Sequence, residues 1–285
     1  MASMRDIKRR KSSIQSTQQI TKAMKLVSTV KLQRVKLRAE RSKAYFDCMY
    51  RTVSSMLAKA GGINHPYITG SGSNRKAVIM ITGNRGLAGG YNSNIIKLIT
   101  KGDLVKEELD IYAIGTKGRD ALYRYGYTIK AVYDDLAEEP SYSDAMGISK
   151  TVLEAYKAGE IGEIYLAYTS FKNTVSHEPK LIRLLPAAVE QEGTEDSKDT
   201  ALMNFEPEDE EALGLIIPQY VTSLIYGGLV ESVASENGAR MQAMDSATSN
   251  AEEMIDSLSL LYNRARQGAI TQELTEIIAG AEAIS

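Results

Sequence analysis

SENGARMQAMDSATSNAEEMIDSLSLLYNRARQGAITQELTEIIAGAEAIS, residues 235–285, runs to the C-terminus without a proline. Within it Asn237, Met241, Met244, Thr248, Ala251, Ile255, Leu258, Tyr262, Ala265 and Ala269 follow one another at alternating steps of four and three. That spacing puts them on one seam of a helix. The seam is thin, because Asn, Thr and three Ala stand where a dimerising zipper carries Leu or Ile. Each contact then contributes little hydrophobic stabilisation, and a partner helix has to lie close by. Ile270, Leu274, Ile277, Ala281 and Ile284 continue the seam after a one-residue phase shift, as a stutter does in a heptad pattern.

The N-terminus answers with the same arithmetic. Leu32, Val35, Ala39, Ser42, Phe46, Met49, Val53 and Met56 alternate three and four, and the register continues backwards through Ser28, Lys25, Thr21, Gln18, Ile14, Lys11, Ile7 and Met4. Five of the eight backward positions are polar or cationic, while Ile20, Met24 and Val27 form a second stripe on another face. Residues 1–28 are therefore a poor two-helix core, and a weak seam with an extra apolar stripe is explained if something else surrounds the helix. Two long helices at opposite ends of one chain suggest a shaft.

Charge sharpens this reading. Residues 1–43 hold thirteen cations against Asp6 and Glu40, an excess of +11 in a chain of net charge −2, so the remainder carries −13. Such asymmetry points to a basic surface meeting an acidic partner, a nucleic acid or an anionic membrane. A nucleic-acid reader is expected to interleave aromatics, and residues 1–44 contain none. At 285 residues and 43% hydrophobic the chain builds one good-sized domain with appendages, and the reading finds no run near the ~20 apolar residues of a bilayer span. MASMRDIKRRK lacks an apolar signal core and is expected to continue straight into the helix. The single cysteine, Cys48, beside the Phe46/Met49 seam, is expected to be a buried thiol, and His65 and His177 alone make no His-based metal site or triad.

The middle reads as a separate globular unit. After a loop around HPYITGSGSN (65–74), the strands KAVIMITG (76–83), DIYAIG (110–115) and YTIKAVYDDL (127–136) alternate with helical patterns, including SDAMGISKTVLEAYKAG (143–159). That alternation predicts a mainly parallel sheet. EIYLAYTSFKN (163–173) and KLIRLLPA (180–187) read as a hairpin pair at one side, residues 190–211 as an acidic return loop, and Pro218 as a kink or a restart of the final helix. The loop GNRGLAGGYNSN (83–94) tempts as a phosphate cradle at a helix N-terminus. Its spacing is neither GxGxxG nor a P-loop, Arg85 is its only cation, and no acid waits at the end of the second strand to hold a ribose. A structural tight turn is the expected role.

DIKRRKSSIQSTQQITKAMKLVSTVKLQR (6–34), ITGNRGLAGGYNSN (81–94), IPQYVTSLIYGGLVESVASENGARMQAM (217–244) and YNRARQGAITQELTEIIAGAEA (262–283) together resemble the gamma subunits of F-type ATP synthases of the bacterial type. Asn84 stands where that family usually has Asp, Asn237-Gly238 where a His-Ala or Gln-Ala pair is usual, and Ala88 where Cys is frequent. The resemblance implies an α/β fold: a long antiparallel coiled coil of N- and C-terminal helices plus a central Rossmann-like α/β domain. The corresponding segments are 1–60, 75–190 and 208–285. It implies a non-catalytic central-stalk rotor without cofactor or metal, partnered by alpha and beta subunits, epsilon and the c ring. No nucleic acid is expected, and membrane association comes only through the complex, peripheral on the cytoplasmic side of the cell membrane. The beta-subunit contacts it implies are Lys22, Met24 and Lys25 in the ITKAM turn, and Arg240, Arg266, Gln267 and Thr271 in the C-terminal helix.

Overall fold

The computed structural model describes residues 4–59, 65–134, 136, 138–187 and 209–282. The expected return loop at 190–211 lies outside the described residues except for its last three. In chain order the elements are α1 (Met4–Lys59), α2 (Pro66–Thr69), β1 (Lys76–Ile81), α3 (Tyr91–Thr100), a 3-10 turn at Lys106–Glu108, β2 (Leu109–Ile114), α4 (Thr116–Arg124), β3 (Thr128–Tyr133), α5 (Tyr142–Lys157), β4 (Glu163–Phe171), β5 (His177–Leu185) and α6 (Asp209–Glu282). Two compact units result: Met1–Thr29 with Arg240–Ser285, and Val30–Ala239.

In the first unit the two helices run antiparallel, with Thr21 facing Thr248 and Lys25 facing Asp245. The seam positions read from the sequence are the inward ones. Thr21, Ser28, Met244 and Ala251 are buried and Ile7, Ile14, Ile255, Leu258 and Tyr262 half-buried, whereas most residues between them are exposed. Polar seam residues do not break the helices because their hydroxyls return to their own backbone, Thr21 to the Gln18 carbonyl at 3.0 Å and Thr248 to that of Met244 at 2.7 Å.

The second unit is a five-stranded sheet in the order β3-β2-β1-β4-β5, parallel except for the antiparallel β4–β5 pair. The continuous apolar runs of β1 and β2 follow from burial on both faces. On one face Val78, Met80, Ile111 and Ala113 pack with Ile95 and Ile99 of α3 and Leu122 of α4. On the other, Ile79, Ile81 and Ile114 pack with Ile148 and Val152 of α5, Val53 and Met56 of α1, and Leu213, Ile217, Val221, Ile225 and Leu229 of α6.

Three expectations need correction. Residues 212–230 carry no charge at all, so α6 does contain a stretch long and apolar enough to cross a membrane. The fold uses it as a core helix, its apolar face buried against the sheet. Pro218 does not restart the final helix, since α6 runs through it unbroken from Asp209. Cys48 is exposed, because Met49, Val53 and Met56 turn towards the core and a helix neighbour of Met49 lies ~100° away from that direction.

Candidate contact surface

The register of the helix pair determines what α6 leaves uncovered. Thr21 Oγ1 lies 2.8 Å from Thr248 Oγ1, and Lys25 Nζ 2.5 Å from Asp245 Oδ1. Counting outward, Met4 comes level with Ala265, so beyond Ala269 no described α1 residue is opposite α6. Every described side chain from Ile270 onward is exposed, including Ile270, Leu274, Ile277 and Ile278. Of the second stripe, Ile20 and Val27 are exposed in this unit and Met24 is half-buried, and the neighbouring Leu26 is exposed too.

The seven contact residues read from the sequence fall into two groups. Lys22 is exposed and Met24 and Lys25 are half-buried on the same turn of α1, while Arg240, half-buried, lies a little over one turn along α6 from the Asp245 that pairs with Lys25. Arg266, Gln267 and Thr271 are exposed near the free end of α6, where the Thr271 hydroxyl donates to the Gln267 carbonyl at 2.9 Å. At ~1.5 Å rise per residue the second group begins ~31 Å from Asp245 along the helix. Lys25, a seam position and a cation of the basic N-terminal segment, is thus paired with Asp245 across the helix pair.

In the second unit β1 neighbours β2 on one side and β4 on the other, the switch point beside which open α/β sheets bind ligands. Here α6 fills that crevice. β1 pairs with β4 only as far as Ala167, which leaves the later backbone groups of β4 open on that edge. Ser232 accepts from the Thr169 N–H at 3.3 Å, Ser235 donates to the Thr169 carbonyl at 3.1 Å, and Glu231 accepts from the Phe171 N–H at 3.1 Å. Gly83, after β1, is so near Glu236 that a Cβ would come 2.7 Å from its carboxylate oxygen. His177 lies against Phe171 and Gly238 in the same region, and burial lowers its pKa below the ordinary imidazole value. Burial also pushes the Tyr156 and Tyr168 hydroxyls up to about 12.

The glycine loop is held by its own side chains. The Gly83 N–H donates to Asn92 Oδ1 at 2.8 Å, and Asn92 Nδ2 donates to the Arg85 carbonyl at 3.2 Å. Asn84 Oδ1 accepts from the Thr116 N–H at 3.0 Å while its Nδ2 donates to the Asp134 carbonyl at 2.6 Å. A carboxylate has no proton for the second bond, which explains Asn rather than Asp at position 84. Gly115 has φ +87°, and a Cβ there would meet the Thr82 carbonyl oxygen at 2.1 Å, so the two strand ends approach only because this residue is glycine. These are the features of a tight structural turn.

One cluster went unread in the sequence. Glu138 accepts from Lys31 at 3.3 Å and forms an ion pair with Arg85 at 3.3 Å, Glu139 pairs with Arg34 at 3.4 Å, and Arg38 donates to the Pro140 carbonyl at 3.1 Å. The signal was present: DDLAEEP (134–140) is an acidic run between a strand and a helix, in a chain whose N-terminal helix is basic.

A family model for ATP synthase matches residues 3–284. The ATP synthase gamma chain of Lachnoclostridium phytofermentans is 65% identical over 292 residues, covering all of both chains, and that of Alkaliphilus metalliredigens is 46% identical over 284 residues, covering 99% of this chain and 98% of that one. Among solved structures, a chain of the Euglena gracilis mitochondrial ATP synthase, in rotational state 3, superposes with a TM-score of 0.73 at 19% identity, covering 99% of this chain and 94% of that one. At that identity the match speaks for the fold, and it is the same fold of terminal helices and central sheet. With matches running the full length of chain and relatives alike, this chain belongs to the ATP synthase gamma-chain family.

Proposed function

We propose that the chain is the central-stalk rotor of an F-type ATP synthase, coupling ion flow through the c ring to ATP synthesis and hydrolysis in an alpha/beta hexamer by rotation. The observation that carries this is the helix pair of the first unit: a seam sufficient to hold two helices, apolar residues left outside it, and a free α6 end with its own apolar stripe. Such a surface needs an enclosing partner. A single asymmetric shaft meets three equivalent catalytic sites differently, so it stabilises a different conformation at each, and turning moves those preferences round the ring. Switching one site from 1:99 to 99:1 takes ~5.5 kcal/mol of differential interaction, within reach of several contacts acting together.

In this reading Lys22, Met24, Lys25 and Arg240 meet a beta subunit at one level, and Arg266, Gln267 and Thr271 meet it at another. Segments 1–60 and 208–285 serve as the shaft, and 75–190 as the body that, with epsilon, grips the c ring. The chain is non-catalytic and is peripheral on the cytoplasmic side of the cell membrane through the complex. α6 side chains occupying the switch-point crevice support that assignment, since a nucleotide has no place there. The test is reconstitution: the purified chain shows no ATP hydrolysis, while adding it to alpha and beta subunits raises cooperative turnover. Hydrolysis by the isolated chain, abolished by Arg85→Ala or Gly86→Val, overturns the reading.

A further inference from the structure

We propose that Glu138 and Glu139 are an intramolecular stand-in for an acidic peptide segment of the surrounding subunits, occupying the basic face of α1 until that segment takes their place. The inference rests on the rotor reading and adds to it a site, a competitor and the chemistry of the occupant. Three cations of α1, Lys31, Arg34 and Arg38, turn to the short stretch 138–140, and Arg85 of the glycine loop joins them at Glu138. Carboxylates are thus what Lys31, Arg34 and Arg85 meet within their own chain, while Arg38 takes the Pro140 carbonyl. The rest of the basic N-terminal segment, which without these three cations still has ten against Asp6 and Glu40 over residues 1–43, an excess of +8, calls for the same chemistry from outside.

The pairings are built to exchange. Their contacts are long, at 3.3–3.4 Å, and both members of the Arg34–Glu139 pair are 66% exposed. Exposed pairs of this kind contribute little to stability and are screened by salt. The flanks of the loop are held much more firmly. Asp134 is gripped by Arg119 on the β3 side, and on the α5 side Ser141 and Asp144 form a reciprocal cap at the helix start. The two glutamates can therefore give up their partners without unravelling either neighbouring element. Because Glu138 is shared by Lys31 and Arg85, its release frees a cation on α1 and another on the glycine loop together.

The experiment uses the chain assembled with alpha and beta subunits and follows its dissociation from the ring at several salt concentrations. Four forms are compared: wild type, Glu138→Gln/Glu139→Gln, Lys31→Gln/Arg34→Gln, and all four substitutions together. Removing the stand-in carboxylates is expected to slow dissociation about three- to tenfold and to steepen its salt dependence, while removing the cations speeds it. In the cation-depleted background the glutamate changes should do nothing further. Dissociation that is unchanged or faster for Glu138→Gln/Glu139→Gln, or an effect that persists without Lys31 and Arg34, overturns the proposal while leaving the rotor reading intact. A wild-type chain that does not enter the ring at all overturns both.

Discussion

Removing the end of α6 after Ala269 should separate what holds the chain together from what holds it in its partners. No described α1 residue lies opposite this segment, and Ile270, Leu274, Ile277 and Ile278 are 48, 55, 67 and 60% exposed. Burying an Ile or Leu side chain completely contributes ~1.5–3 kcal/mol, so with about half to two thirds of that still available, each offers ~1–2 kcal/mol to an enclosing surface. The four together offer ~4–8 kcal/mol before the cost of ordering them, and after a discount of about half the net effect is on the order of a 100-fold change in association. The assay is paired. Thermal unfolding of the isolated chain should be unchanged by the truncation, while retention in a complex with alpha and beta subunits falls ~100-fold. Ile277→Ser alone should cost about tenfold or less, since the contacts are spread along the stripe. A truncated chain that unfolds several degrees lower by itself, or that assembles as well as wild type, refutes the reasoning.

Met24→Lys adds a third cation beside Lys22 and Lys25, and a unit charge pair ~4 Å apart at an effective dielectric of ~20 interacts by ~4 kcal/mol before desolvation. Ions moved per ATP in reconstituted vesicles should therefore fall more than ATPase rate, and an equal fall with Met24→Leu would reduce the residue to packing. Gly115→Ala, which forces a Cβ to 2.1 Å from the Thr82 carbonyl oxygen at φ +87°, should cost ~2–4 kcal/mol in denaturant unfolding, and a loss under ~1 kcal/mol would show that the strand ends yield. Burial lowers the folded pKa of His177, so as pH falls below ~6.5 the unfolded chain takes up the proton first. The stability this neutral imidazole contributes is present above that pH and is lost as pH drops through the folded pKa. His177→Phe should accordingly show a smaller fall in melting temperature between pH 7 and pH 5 than wild type, and parallel curves would remove the residue from the acid response.

The helix seams were legible because a 3.5-residue period needs no knowledge of the partner. The positions that the spacing selected within the first unit, from Met4 to Ser28 and from Met241 to Ala269, are those turned inward in the helix pair. Strands and their order of appearance were legible for a similar reason, since buried runs such as KAVIMI announce themselves by composition. Two things were not. Cys48 sits among apolar seam residues, and a shift of one position round the helix separates core from solvent. The Lys31–Glu138–Arg85 cluster joins three segments far apart in sequence, and pairings over such separations leave no periodic trace. The uncharged stretch 212–230 shows the converse hazard, where composition fits a membrane and only the sheet facing it tells otherwise.

The three hydrogen bonds that tie Glu231, Ser232 and Ser235 to backbone groups at the end of β4 have a mechanical meaning. Apolar burial grips a helix but is indifferent to small turns about its long axis, because one Leu or Ile slides into the neighbouring groove at little cost. Directional bonds to fixed backbone groups are not indifferent. They act as a key in a keyway, locking the azimuth of α6 to the sheet, so that a twist applied to the body is delivered to the helix as rotation instead of being lost as slip.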